Sequence, residues 1–263
     1  MKSLISINKK FMVVTPNRLV ELMLDSKSCK GVEACVDYDS QEELKYLYDL
    51  TFLLKRENLI LQIHGDSSVD LDKQIEFLKK MEKYSDDLDY PIVVTLHSIY
   101  DEDKNESLRK SVEYFDYVVK NIDTSKVVVC MENLNSEAFG NDRLAKEEIT
   151  EAVLNNDSVF FTYDIGHELV DYGDFTNLNK YLTEEIRNIH LNTHDIQGNA
   201  HLPIYKNDPY LNDVMKALVF LINNRYDAGI VYEYDLYACR GEEIEDKIKD
   251  YLESMDFVSE KYM

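Results

Sequence analysis

The chain has no tryptophan, four prolines, eight glycines and four cysteines in 263 residues. With so little proline and glycine and no low-complexity tract, no stretch has the composition of a flexible linker. A single domain over residues 1–263 is therefore expected. Cys29, Cys35, Cys130 and Cys239 are scattered without a CxxC pair, which argues against a disulfide framework and predicts buried, reduced thiols. No run approaches the roughly 18 apolar residues of a membrane span. The apolar run in Met1-Lys2-Ser3-Leu4-Ile5-Ser6 is too short for a signal peptide, so a cytoplasmic location is expected. Basic residues are also scarce, with 29 Lys and Arg against 51 Asp and Glu and a formal net charge of −22. A field of that sign opposes the counterion exchange on which nucleic-acid binding depends, and no Lys/Arg cluster marks a local basic groove.

What the sequence does contain is alternation. Short apolar runs near 4–7, 31–36, 59–64, 91–97, 126–132, 158–164, 186–191 and 229–234 alternate with amphipathic stretches, the pattern of βα units around a parallel sheet. One such stretch, Asn105 to Ile122, carries Leu108, Val112, Phe115, Val118, Val119 and Ile122 as an apolar stripe at helical spacing. Pro16 and Pro209 fall near the starts of the first and seventh helices, where a missing N–H costs nothing. The segments 165–175 and 192–208 are expected to be long loops. Eight such units predict a single (β/α)8 barrel, in which the carboxyl ends of all strands share one face.

All six histidines lie at or just past the carboxyl end of an apolar run. Glu132, Asp164, His190 and Glu233 close strands five to eight, a donor set suited to a hard or borderline divalent ion. A lone strand-end carboxylate is ordinarily a helix cap; four such residues on consecutive strands point to a metal centre. Side-chain alternation then turns Gln62, Thr95, Cys130, Thr162, Asn188 and Val231 inward as well. Four of these are polar, as a hydrogen-bonded layer beneath the ligands requires.

Met131-Glu132-Asn133, Tyr163-Asp164-Ile165-Gly166-His167, His190-Leu191-Asn192 and Asn199-Ala200-His201-Leu202-Pro203-Ile204, in that order and spacing, make the chain resemble the xylose isomerase-like TIM barrel superfamily. That superfamily includes sugar and sugar-phosphate isomerases and epimerases and type IV apurinic endonucleases. The resemblance runs from Gly31-Val32-Glu33 to Glu233. It implies that Glu132, Asp164, His190 and Glu233 bind one divalent metal (Mn, Mg, Co or Zn), with no nucleotide cofactor. In the endonucleases His64 and His97 would hold an additional metal bridged by Glu132, and His167 with His201 another. Here Asn199 stands where that pattern has a metal-binding aspartate, which counts against the third ion; His64 and His97 would then bind a second ion or substrate hydroxyls. Tyr205-Lys206-Asn207 replaces the usual Gly-x-Gly, and Thr193 stands where an aspartate is expected, unless Asp195 takes its place. His194 has no family role and reads as a loop residue.

The leading expectation is thus a metal-dependent isomerase or epimerase of a small sugar-like carbonyl compound, working through an enediolate. Glu132 and Glu233 would be the acid/base pair, Asp164 and His190 would hold the ion, and His167 would orient a substrate oxygen. Glu33 would lie near the substrate or be a buried Glu paired with a neighbouring Lys or Arg, and Lys206 or Arg240 would meet an anionic group. The alternatives are a phosphodiesterase of the apurinic endonuclease type and a non-catalytic metal- or sugar-binding barrel. Monomer and homodimer are both compatible with the acidic, tyrosine-bearing surface.

Overall fold

The computed structural model describes residues 2–65, 70–136, 142–173, 185–194, 201–224 and 229–262. Strands β1 (Lys2–Ile7), β2 (Cys29–Cys35), β3 (Ile60–His64), β4 (Ile92–Leu96), β5 (Val127–Glu132), β6 (Val159–Asp164), β7 (Ile186–Leu191) and β8 (Gly229–Tyr232) follow one another around a closed barrel. All pairings are parallel, and β8 returns to β1 with Leu4 opposite Val231. Between them run α1 (Pro16–Asp25), α2 (Gln41–Arg56), α3 (Leu71–Leu88), α4 (Lys104–Asn121), α5 (Arg143–Leu154), α6 (Ile165–Tyr172) and α7 (Leu211–Asn223), with α8 (Ile244–Tyr262) closing the ring. This is a (β/α)8 TIM barrel, as the alternation predicts.

The strands carry apolar residues on the face that meets the helices. Leu61, Ile63, Val94, Leu96, Phe161, Tyr163, Ile189 and Leu191 are all fully buried, and full burial of a side chain of Leu or Phe size contributes roughly 1.5–3 kcal/mol. The helices start where short polar side chains accept the first free N–H groups. Thr15 caps α1 ahead of Pro16, Ser40 caps α2, and Asp70, Asp103 and Asp142 cap α3, α4 and α5. Gly31 lets β2 and β3 close up, since a Cβ there would sit 2.2 Å from the Ile60 carbonyl oxygen. Among the described residues no helix is long and apolar enough to cross a membrane.

The expected loop at 165–175 is largely a helix. Asp164 ends β6 and is itself the cap of α6, accepting from the His167 N–H at 2.6 Å. Gly173 terminates α6 with φ 71°, its N–H returning to Leu169. No turn separates strand from helix, so the usual punctuation of a boundary is missing. Within the expected loop 192–208, an antiparallel bridge joins Thr193 to Leu202 through paired backbone hydrogen bonds. Residues 195–200, including Asp195 and Asn199, lie outside the described residues.

Candidate metal centre

Four parallel strands deliver four side chains to one point. Glu132 and Asp164 end β5 and β6, His190 is the penultimate residue of β7, and Glu233 directly follows β8. One donor atom from each lies within 4.8 Å of the others. His190 Nδ1 is 3.1 Å from Glu132 Oε1, 3.1 Å from Glu233 Oε2 and 3.9 Å from Asp164 Oδ2. The second oxygen of Glu132 faces a different pair, with His64 Nε2 at 3.2 Å and His97 Nε2 at 2.9 Å. Glu132 thus joins the four-residue group to a second group of His64, His97 and Glu132.

Neighbouring amides hold these donors in place. The Asn133 side chain accepts from the Asp164 N–H and donates to its carbonyl, bridging β5 to β6 beyond their regular pairing. Asn192 Nδ2 donates to Asp164 Oδ2 at 2.9 Å, while its oxygen accepts from the His201 N–H. Gly166 makes room for that arrangement, since a Cβ there would lie 1.8 Å from Asn192 Oδ1. His201, at φ 60°, is a non-glycine residue in the left-handed region, where a strained backbone is commonly tied to a site. Its ring brings Nδ1 to 3.3 Å from Glu233 Oε2.

Beneath the donors lies the polar layer expected from alternation. Thr95 and Thr162 share a hydrogen bond of 2.9 Å, and Asn188 donates to Thr95 and to Glu33 Oε2. Glu33 Oε1 reaches His190 Nε2 at 2.9 Å. Of the two readings of Glu33 the structure gives the buried one, with His190 in place of a Lys or Arg as its partner: Glu33 is fully buried under His190, where it meets the ring nitrogen turned away from the other donors.

The electrostatics follow from this crowding. Burial disfavours charge on His190, yet Glu33, Glu233 and Glu132 outweigh it and hold the imidazole well above its ordinary range. His64 is raised for a similar reason, burial opposing and Cys35 and Glu132 prevailing. His201 is pushed up to about 9, Glu233 overcoming its burial. Glu132 and Glu233 are held well below the usual carboxylate range because their histidine partners outweigh the burial penalty. Asp164 moves the other way, raised chiefly by burial. In the metal-free protein, protons on histidine balance the carboxylates.

The remaining sequence candidates divide. His64, His97, His167 and His201 all come to the centre, with His167 Nδ1 2.9 Å from the Asn133 carbonyl and 3.6 Å from Glu132 Oε1. The edge-on rings of His167 and His201 are 5.4 Å apart. Arg240 and Lys206 do not join them. Arg240 binds Asp250 at 2.9 Å and lies 3.9 Å over the Tyr205 ring, and Lys206 is exposed in a turn. His194 packs against Tyr210 at 4.1 Å. Sequence reading gave no role to Asn133 and Asn192, although both sit inside the quoted motifs.

The residues fit a divalent ion. Glu233 Oε2 and His201 Nδ1, buried and 3.3 Å apart, make no well-directed hydrogen bond among the described residues, and a bound ion would give the carboxylate oxygen a directed partner. Three carboxylates and an imidazole form a suitable donor set, and Glu33 supplies the carboxylate that commonly backs a metal-bound histidine.

A family profile described as xylose isomerase-like TIM barrel matches residues 32–260. The chain belongs to that family. Among solved structures, an IOLI protein with a bound zinc atom is similar at TM-score 0.71 and 16% identity, covering 100% of this chain and 99% of that one. D-psicose 3-epimerase with D-tagatose from Clostridium cellulolyticum H10 matches at TM-score 0.67 and 14% identity, over 99% of both chains. An AP endonuclease, family 2, from Brucella melitensis matches at TM-score 0.65 and 16% identity, over 100% of this chain and 99% of the other. No curated protein matches by sequence. At these identities the structural likenesses establish the fold alone.

Proposed function

We propose that this family member is a divalent-metal-dependent isomerase or epimerase acting on a small sugar-like carbonyl compound. The observation that carries the reading is the convergence of Glu132, Asp164, His190 and Glu233 within 4.8 Å at the carboxyl ends of β5 to β8. An ion held by these four would polarise a carbonyl and its neighbouring hydroxyl, making the carbon-bound proton more acidic. Glu132 and Glu233 approach His190 from different strands. One removes the proton and the other returns one to the opposite face. Both lie well below the usual carboxylate range, as a base requires, and the one that returns a proton would first take it from the raised histidine beside it, Glu233 from His201 or Glu132 from His64. With Nδ1 turned to the Asn133 carbonyl as donor, His167 would present Nε2 to a substrate oxygen. The test is exchange of substrate α-protons in deuterated water, followed by NMR, with manganese-loaded protein and a panel of free and phosphorylated ketoses. Exchange that disappears in Glu132→Gln supports the reading; no exchange across the panel by protein shown to hold metal would refute it.

One observation favours a second reading, a metal-dependent phosphodiesterase. His64, His97 and Glu132 form a further three-donor group, as a multi-metal hydrolase requires. The net charge of −22 opposes a nucleic-acid substrate. Elemental analysis of protein purified without chelator separates the two. A single exchangeable ion per chain supports the isomerase reading, whereas several tightly held ions with cleavage of an abasic-site duplex support the hydrolase.

A further inference from the structure

A cavity of about 260 Å³ opens beside the candidate metal centre. His64 and Glu233 line it on the side of the centre, and Ser6, Asn8, Lys10 and Asp235 line it where the ends of β1 and β8 come together. Its volume lies just below the roughly 300–1,000 Å³ of pockets for drug-sized ligands, so it suits a small molecule.

Its charge is specific. Lys10 Nζ donates to Asp235 Oδ1 at 2.7 Å and lies 4.5 Å from the centre of the Tyr237 ring. Asp235 is fixed in turn, its Oδ1 accepting from the Tyr237 N–H and its own N–H donating to the His201 carbonyl. Both of these bonds to the carboxylate fall on Oδ1. The pair is partly exposed, at 28% for Lys10 and 43% for Asp235, so a ligand in the cavity can reach it.

This arrangement poorly suits a phosphate. A phosphate site gathers several charged or backbone donors, whereas Lys10 is the only lysine or arginine among the described residues lining this cavity and is already neutralised by Asp235. A phosphate would also face two carboxylates, Glu233 and Asp235, while His64 and His201 on the same wall are turned to carboxylates of the centre, His64 to Glu132 and His201 to Glu233. Arg240, the other cation near β8, is committed to Asp250 and Tyr205. Two adjacent hydroxyls suit the pair better, one donating to Asp235 and the other accepting from the ammonium of Lys10.

We propose that Lys10 and Asp235 form a hydroxyl-reading subsite, and that the substrate is an uncharged polyol carbonyl compound rather than a phosphate ester. The inference rests on the isomerase or epimerase reading and narrows it. The experiment measures binding by calorimetry and α-proton exchange by NMR with manganese-loaded protein. The probes are D-fructose, D-xylulose and D-ribulose, each beside its monophosphate. At least one free sugar is expected to bind about tenfold or more tightly than its phosphate. Lys10→Met and Asp235→Asn should each raise its Kd and KM by about tenfold or more, the scale of one hydrogen bond to a charged group. Their manganese content should equal that of the parent, which separates lost recognition from a damaged centre. If the phosphates bind and exchange as well as or better than the free sugars, the subsite proposal falls while the isomerase reading stands. Unchanged Kd and KM in both variants also overturn it. If neither class binds or exchanges, both readings fall together.

Discussion

His190 has a carboxylate at each ring nitrogen, Glu33 at Nε2 and Glu132 with Glu233 at Nδ1. In the proposed metal-bound form Nδ1 would face the ion, and Glu33 would fix the tautomer and ring angle. Glu33→Gln keeps the shape but removes the charge, and metal affinity should fall about 10–100-fold, the usual cost of losing such a partner. Manganese titration of the metal-free variant checks this, and an unchanged Kd would deny Glu33 that role. Protonation sets a second expectation. His201 titrates near 9, and His64 and His190 are raised well above their ordinary value, so the metal-free centre holds protons at pH 7. A bound metal would displace them, so apparent affinity should rise as pH is raised from neutral and weaken as it is lowered. Calorimetry in buffers of different ionisation heat measures the released protons, and no release at pH 7 would contradict this charge balance. At this scale the donors were legible because strand ends and alternation fix them. The place of Glu33 was not, because its layer depends on the stagger between strands, and its partner Asn188 is 155 residues away.

Among the elements, α6 was the one read as loop, and its anchoring has an energetic consequence. Lys146 of α5 donates to Asp171 of α6 at 2.7 Å and lies 3.5 Å from Glu168. Asp171 also accepts from the Ser136 N–H and hydroxyl. The Lys146 and Asp171 side chains are only 5% and 3% exposed, so removing one leaves a buried charge without its counter-ion. Lys146→Met should cost about 3–5 kcal/mol in urea unfolding, whereas breaking the exposed Lys45–Asp49 pair should cost less than about 1 kcal/mol. Burial works against ionised Asp171, but Lys146 and Ser136 outweigh it and lower its pKa. Its contribution is therefore present above the unfolded carboxylate value of about 3.9 and is lost as pH falls through the lower folded value. In Asp171→Asn that part of the acid sensitivity should vanish. The helix α4, by contrast, was legible almost to the residue, at Lys104–Asn121 against an expected 105–122, because an unbroken apolar stripe follows a capping aspartate.

For the whole molecule, closing the barrel gathers carboxylates from distant parts of a chain that already carries −22. An ion held by the proposed donors would bind only the folded form, so loading at a hundred times its Kd should add about 2.7 kcal/mol of stability. Melting curves with and without chelator check this, and identical curves would mean that the four donors hold no ion. Barrel closure was legible from the count and order of strands, but the contents of the cavity were not. Lys10 and Asp235 become neighbours only when β8 pairs with β1. The cysteines, read from composition as uniformly buried, differ in one case. Cys29, Cys130 and Cys239 are buried, while Cys35 is half-buried and lines the cavity with His64. The folded protein therefore has a built-in labelling position: a small maleimide should react at Cys35 ahead of the other thiols, and a compound that slows the reaction would identify itself as an occupant without any turnover assay.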